Sequence, residues 1–233
     1  MLYLMKLEWK KFKLYKYVKA VVISIVALIA LNMLMLYASK QENELMFDSF
    51  KTAIMFFNVL IRAVFIIFAS VILAKLTVEE YKTKTIQLMY SYPISRKKLM
   101  VGKLCIVYLF TVIAIIVSSL IIIPSLGVFN YKTQVLPDNL TVELWLRSMP
   151  QIVIGALLSG FIALVPFYFG MRKKSTPATI ISSSILACLL TSSVGGNAVS
   201  SYGIRLIVIG AASIITVWFT LKRKLGSVQE EEV

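Results

Sequence analysis

The residues of this chain with chemical capacity are few and unusually placed. Arg62 is the lone charge deep inside an apolar run, with Asn58 one helical turn before it, Phe65 just beyond, and Ser70 two turns on. Counting about 11 residues from Lys51 at roughly 1.5 Å each puts it near the middle of a bilayer core. No carboxylate lies within any apolar run to pair with it. A central arginine costs about 2.5–3.5 kcal/mol on insertion scales, so its head must face protein or a wet cavity. Two uses fit: holding an anionic group or the peptide carbonyls of a ligand, or hydrogen-bonding the carbonyls of a neighbouring helix. The chain has no histidine, which excludes His-dependent catalysis and His-ligated metal. It also has no G-x-x-x-x-G-K-[ST] phosphate loop, so it carries no ATP hydrolysis of its own. Cys105 and Cys188 fall within apolar runs and read as buried, inert thiols.

The elements that must position these residues are six apolar runs, at 18–38, 53–74, 104–128, 149–170, 178–199 and 204–221. A bilayer core about 30 Å thick needs roughly 20 apolar residues in a helix. Backbone inside hydrocarbon must satisfy its own hydrogen bonds, so the runs read as helices. With 59% hydrophobic residues in a chain of 233, nothing remains to build a soluble domain. The fold class is therefore all-α, a polytopic bundle of six transmembrane helices occupying residues 18–221. Nineteen of the 25 basic residues precede or open the first run, lie in the second and fourth connections, or follow the last run. The positive-inside rule then puts both termini in the cytoplasm of a multi-pass protein. The net charge of +14, which in a soluble protein would suggest nucleic acid, reads here as topology signals and contacts to anionic lipid heads. Residues 1–17 alternate Leu and aromatic positions with lysines and read as an interfacial amphipathic helix. Residues 222–233 form a cytoplasmic tail.

Within the runs, Pro124 and Pro166 should kink their helices, because each lacks a backbone donor. Gly155, Ala156, Ser159, Gly160 and Ala163 give the fourth run a small-residue face suited to close helix packing. Asn32 reads as interhelical glue. The fifth run is apolar only to about Leu190, then polar and glycine-rich, and fits either a short crossing or a partly re-entrant hairpin.

The most informative segment outside the runs is the connection 77–103. Thr77 can cap a helix whose third position is Glu80. Val78, Tyr81, Thr85, Leu88, Met89 and Tyr92 recur near helical spacing, with Glu79, Lys82 and Lys84 on the more exposed face. Tyr92-Pro93 then breaks the helix. Ser95 can cap the next one, which carries Arg96, Lys97 and Lys98 toward Lys103.

In these residues the chain resembles the permease subunits of the type-2 ABC transporter family. Those proteins are similar in having six spans, cytoplasmic termini, and a second connection shaped like Glu…Thr…Leu…Pro-x-Ser-Arg…Lys. Here Glu79 or Glu80, Thr85, Leu88, Pro93, Ser95, Arg96 and Lys103 match it. Lys84 stands where the family usually has glycine, and the outer segment 192–203 is short, more like the small permeases for peptide antibiotics, bacteriocins or toxin peptides. The resemblance implies a cytoplasmic coupling helix between spans two and three that docks on a separate soluble ATPase, through Glu79, Glu80, Lys82, Thr85, Leu88, Pro93 and Arg96. It also implies ATP and Mg on that partner and no cofactor on this chain, a second permease copy or a relative completing a dimer, and location in the plasma membrane. The expected function is ATP-driven export of amphipathic cargo, with Asn58, Arg62 and Phe65 along the substrate pathway and antimicrobial resistance as one role. This chain would not itself be an enzyme. A structural or sensory membrane subunit is the alternative. Glu79-Glu80-x-x-x-Lys84 also echoes the Glu-Glu-x-x-x-Arg element of membrane prenyl-protein proteases, but those require histidines that are absent here.

Overall fold

The computed structural model describes residues 15–42, 47, 49–78, 96–133, 136, 140–173, 175–191 and 206–216, and every element among them is helical. In chain order these are α1 (Tyr15–Glu42), α2 (Phe50–Leu73) with a π turn at Ala74–Val78, α3 (Arg96–Thr133), α4 (Val142–Ile162), α5 (Pro166–Lys173) and α6 (Thr176–Thr191). A last helix, α7, spans Leu206–Thr216. Four stretches are long and apolar enough to cross a membrane: Tyr17–Lys40, Phe50–Thr77, Met100–Thr133 and Val142–Lys173. The helices α6 and α7 are apolar but shorter, 16 residues for α6. Most of the interfacial segment 1–17, positions 79–95 of the coupling segment and the tail 222–233 lie outside the described residues.

The helix ends depart from the apolar runs for local reasons. The helix α2 starts at Phe50, three residues before its run, because Ser49 and Thr52 form a reciprocal capping box. Its two backbone-to-hydroxyl bonds are 3.2 and 3.3 Å and satisfy first-turn donors that hydropathy does not register. The fourth span starts at Val142, well before residue 149, since Glu143 and Arg147 occupy exposed positions of its first two turns. The helix α3 is 38 residues long and passes through Pro124 as one element. Pro166 does break its helix. It has no N–H to offer the Ile162 carbonyl, which takes the Val165 N–H instead at 3.1 Å, so the chain tightens through three residues before α5 resumes.

Ring contacts and hydrogen bonds fix the order of packing. At one end Tyr17 of α1 meets Phe68 of α2 at 6.2 Å, and Phe68 stacks on Phe110 of α3 at 6.2 Å. At the far end of α1, Lys40 donates to the Thr133 carbonyl of α3 at 3.2 Å. The helices α1 and α3 therefore run in the same direction, with α2 antiparallel to both. Tyr108 of α3 packs on Phe161 of α4 at 4.7 Å, and a Cβ on Gly160 would come within 2.8 Å of Tyr108 and Val112. That close approach requires glycine.

The helix α2 is the hub, packed against α3, α4 and α6. Its most apolar window is 61% buried, against 28% for α1, so α1 is peripheral. The outward faces of α1 and α3 carry Val22, Ile23, Val26, Ile113, Val117 and Ile121, which suit lipid. The inward faces hold Ser70, Thr111, Ser118, Ser119, Ser159, Thr179 and Ser183, all at most 1% exposed. Small and hydroxylic residues at helix contacts are the membrane pattern, since apolar burial alone does not drive helices together in lipid. Most of these hydroxyls donate to the carbonyl one turn back, as Thr111 does to Val107 and Ser118 to Ala114. Both cysteines are exposed on helix surfaces rather than buried. Asn32 is buried, but neither amide atom has a partner, so it does not act as glue between helices in this conformation.

Candidate functional site

Three polar joints tie α2 to three different neighbours. Asn58 donates to the Ile54 carbonyl of its own helix at 2.9 Å and accepts from the Ser119 hydroxyl of α3 at 3.2 Å. One turn on, the Arg62 Nη2 donates to the Gln151 carbonyl of α4 at 3.2 Å. Further along, the hydroxyls of Ser70 and of Ser183 on α6 lie 2.7 Å apart. At about 100° per residue, positions 58, 62 and 70 drift roughly 120° around α2. That drift lets one stripe serve three partners in turn.

Arg62 lies near the midpoint of the stretch Phe50–Thr77 and is 6% exposed. Its guanidinium lies against α4, so close to Gly155 that a Cβ there would collide with Nη1, Nη2 and Cζ. Gly155 thus makes the room in which a central cation can reach helix backbone. Phe65, at 1% exposed, belongs to a dry aromatic layer beside this seam, its ring 6.4 Å from Phe68. Of the three residues the sequence places along a pathway, Asn58 and Arg62 share one seam and Phe65 packs next to it. All three are enclosed in this conformation. A hollow of about 460 Å³ instead lies on the outer side of α6, lined by residues such as Ile181, Ile185 and Cys188.

The second constellation is the root of the coupling segment. The helix α2 ends in the π turn Ala74–Val78, which packs against α3, α5 and α6. The Thr77 hydroxyl donates back to the Leu73 carbonyl and the residue is 3% exposed; the helix it was expected to cap lies outside the described residues. Lys103, on the far side of the connection, is also only 3% exposed and donates from Nζ to the Leu76 carbonyl at 3.1 Å. Lys75 points outward, with its ammonium 5.9 Å from the Tyr17 ring centroid. Glu79, Glu80, Lys82, Thr85, Leu88 and Pro93 lie outside the described residues, and Arg96 is the first residue of α3.

Sequence reasoning missed Ser119 and Gln151. Gly155 was visible only as part of a small-residue face, and Lys103 as the last matched position of the second connection's pattern. Neither reading carried the register that sets them against Arg62 and Leu76. Among the described residues no group of three His, Cys, Asp or Glu side chains could hold a metal ion.

The family model described as "ABC-2 family transporter protein" matches residues 4–189, which includes α1 to α5, most of α6 and the whole coupling segment. The chain is also similar to a Bacillus subtilis (strain 168) protein that bears the name Uncharacterized protein YcbO. The two are 36% identical over 198 residues, 85% of this chain and 87% of that relative. No solved structure matches significantly.

Proposed function

This chain belongs to the ABC-2 family of transporter proteins, and from that premise we propose that it is the permease subunit through which a separate soluble ATPase exports an amphipathic cargo. The cargo class is a peptide of mixed polarity, such as a peptide antibiotic, a bacteriocin or a toxin peptide. The ATPase docks on the cytoplasmic face through Glu79, Glu80, Lys82, Thr85, Leu88, Pro93 and Arg96, and holds the ATP and Mg. A second copy or a relative completes the machine in the plasma membrane. The helices α6 and α7 are parts of a fifth and a sixth crossing, which leaves both termini in the cytoplasm.

The observation that carries this reading is the position of α2. Its end leads directly into the coupling segment, and its middle is tied by Asn58, Arg62 and Ser70 to α3, α4 and α6. A push on the coupling segment therefore reaches mid-membrane along a single helix and is shared among its neighbours. Asn58, Arg62 and Phe65 serve the pathway when α2 parts from α4, exposing a cation and an amide to peptide carbonyls or an anionic group. In the enclosed conformation the Gln151 carbonyl occupies the arginine in their place.

The test combines coupling and access. The variants E79K, E80K and P93A should insert normally yet separate ATP hydrolysis by the co-purified ATPase from conformational change. That change is read as nucleotide-dependent thiol labelling at S159C, a buried position of α4 whose hydroxyl makes no hydrogen bond among the described residues, in a background with Cys105→Ser and Cys188→Ser. Normal coupling in all three variants would count against the docking role. A wild-type chain with no ATPase partner would point to a structural or sensory subunit instead.

A further inference from the structure

A lysine buried to 97% is unusual, since an ammonium at a helix end can extend to water along its own stem. Lys103 instead turns inward to the Leu76 carbonyl. The two residues are 27 apart in sequence and bracket the coupling segment, Leu76 just before it and Lys103 just after. Leu76 is the middle residue of the π turn. A π turn spaces its carbonyls differently from the α-helix around it and is a common local irregularity at functional places. An apolar side chain at 103 would fill the same space without the desolvation a cation suffers there. The bond to Leu76 is a directional tie from a side chain of α3 to the backbone at the end of α2.

We propose that Lys103 is a positioning residue that pins the two roots of the coupling segment together, so that α2 and α3 move as one body when the segment is pushed. The inference rests on the proposed function, because it assigns a part within ATP-driven coupling. Without the pin, a force applied at residues 79–95 flexes the π turn and the first turns of α3. Less of it reaches the joints at Asn58 and Arg62.

Two measurements separate this inference from the reading it rests on. The first needs no ATPase: spin labels are placed at Lys75, which is exposed, and at Val101, which is half-buried, in the full-length chain in lipid vesicles. Wild type and K103R, which keeps a cationic donor, should give one narrow distance distribution. K103M and K103Q should each give a broader or longer one. Unchanged distributions in both would overturn the pin. The second uses the complex with its co-purified ATPase and the S159C labelling readout. K103M should keep ATP hydrolysis within about twofold while the nucleotide-dependent labelling change falls about tenfold, the equilibrium factor that a charge-assisted hydrogen bond commands. K103R should restore the change, which rescue by packing volume alone would not do. If K103M preserves the labelling change, the coupling role is overturned even where the distances shift. If wild type itself shows no response to nucleotide, the proposed function fails, and a distance change in K103M then makes Lys103 a static clamp.

Discussion

Replacing Gly155 with alanine adds one methyl group at the position where α4 meets the Arg62 guanidinium. The new Cβ would occupy space held by Nη1, Nη2 and Cζ, so the arginine must leave the Gln151 carbonyl and the contact between α2 and α4 must repack around the displaced head. Losing a hydrogen bond from a charged donor costs about 1.5 kcal/mol at the low end, and overpacking a closed helix contact about 1–3 kcal/mol. Against this, alanine is the better helix former by about 1 kcal/mol. The net destabilisation is then about 1.5–3.5 kcal/mol. Unfolding in mixed micelles titrated with a denaturing detergent reads it directly. Gly102→Ala is the control, because a Cβ there meets nothing within 4 Å. It should be neutral or up to about 1 kcal/mol more stable. Pairing G155A with Arg62→Gln closes a double-mutant cycle, since glutamine is shorter and carries no guanidinium. The pair should be more stable than the sum of the single changes by about 1 kcal/mol or more. If G155A matches wild type, or if the two changes simply add, Arg62 does not rest on α4 as described.

The remaining expectations concern other buried positions. Asn32 is 1% exposed with both amide atoms unpartnered. Asn32→Leu should therefore leave the protein as stable or about 1 kcal/mol more stable in the same assay, since an unsatisfied buried polar group is costly; a marked loss would mean Asn32 has a partner. Gly160→Leu should destabilise by about 1–3 kcal/mol or more through Tyr108 and Val112, and Tyr108→Ala should recover part of that loss. Equal stability of G160L and wild type would contradict the close α3–α4 approach.

How far the chain was legible in its sequence depends on what hydropathy can encode. It registered the long helices and expected kinks at Pro124 and Pro166; the helix breaks at Pro166, while Pro124 lies inside one continuous helix. It misplaced the start of α2, where the Ser49–Thr52 capping box is polar yet helical. The start of α4 was also misplaced, because Glu143 and Arg147 hold exposed positions of its first two turns. It placed the cysteines in helices but put them on the wrong side, since facing protein or facing lipid looks the same in an apolar run. Arg62 was conspicuous as an uncompensated charge. Its partner is a main-chain carbonyl, a group every residue owns, so nothing in the sequence could single out Gln151. Lys103 read as a topology signal and as the closing position of the connection's pattern, and only the fold turns it inward. The coupling segment was the reverse case, with a recognisable pattern at positions 79–95 that the described residues frame at both ends without including.

The most direct measurement isolates the tagged chain from its native membrane in mild detergent and identifies what accompanies it. The account predicts a soluble nucleotide-hydrolysing subunit in stoichiometric amount, released by charge reversal at Glu79 and Glu80 together. A chain that comes away with no such partner, or whose partner stays bound after those reversals, would contradict it.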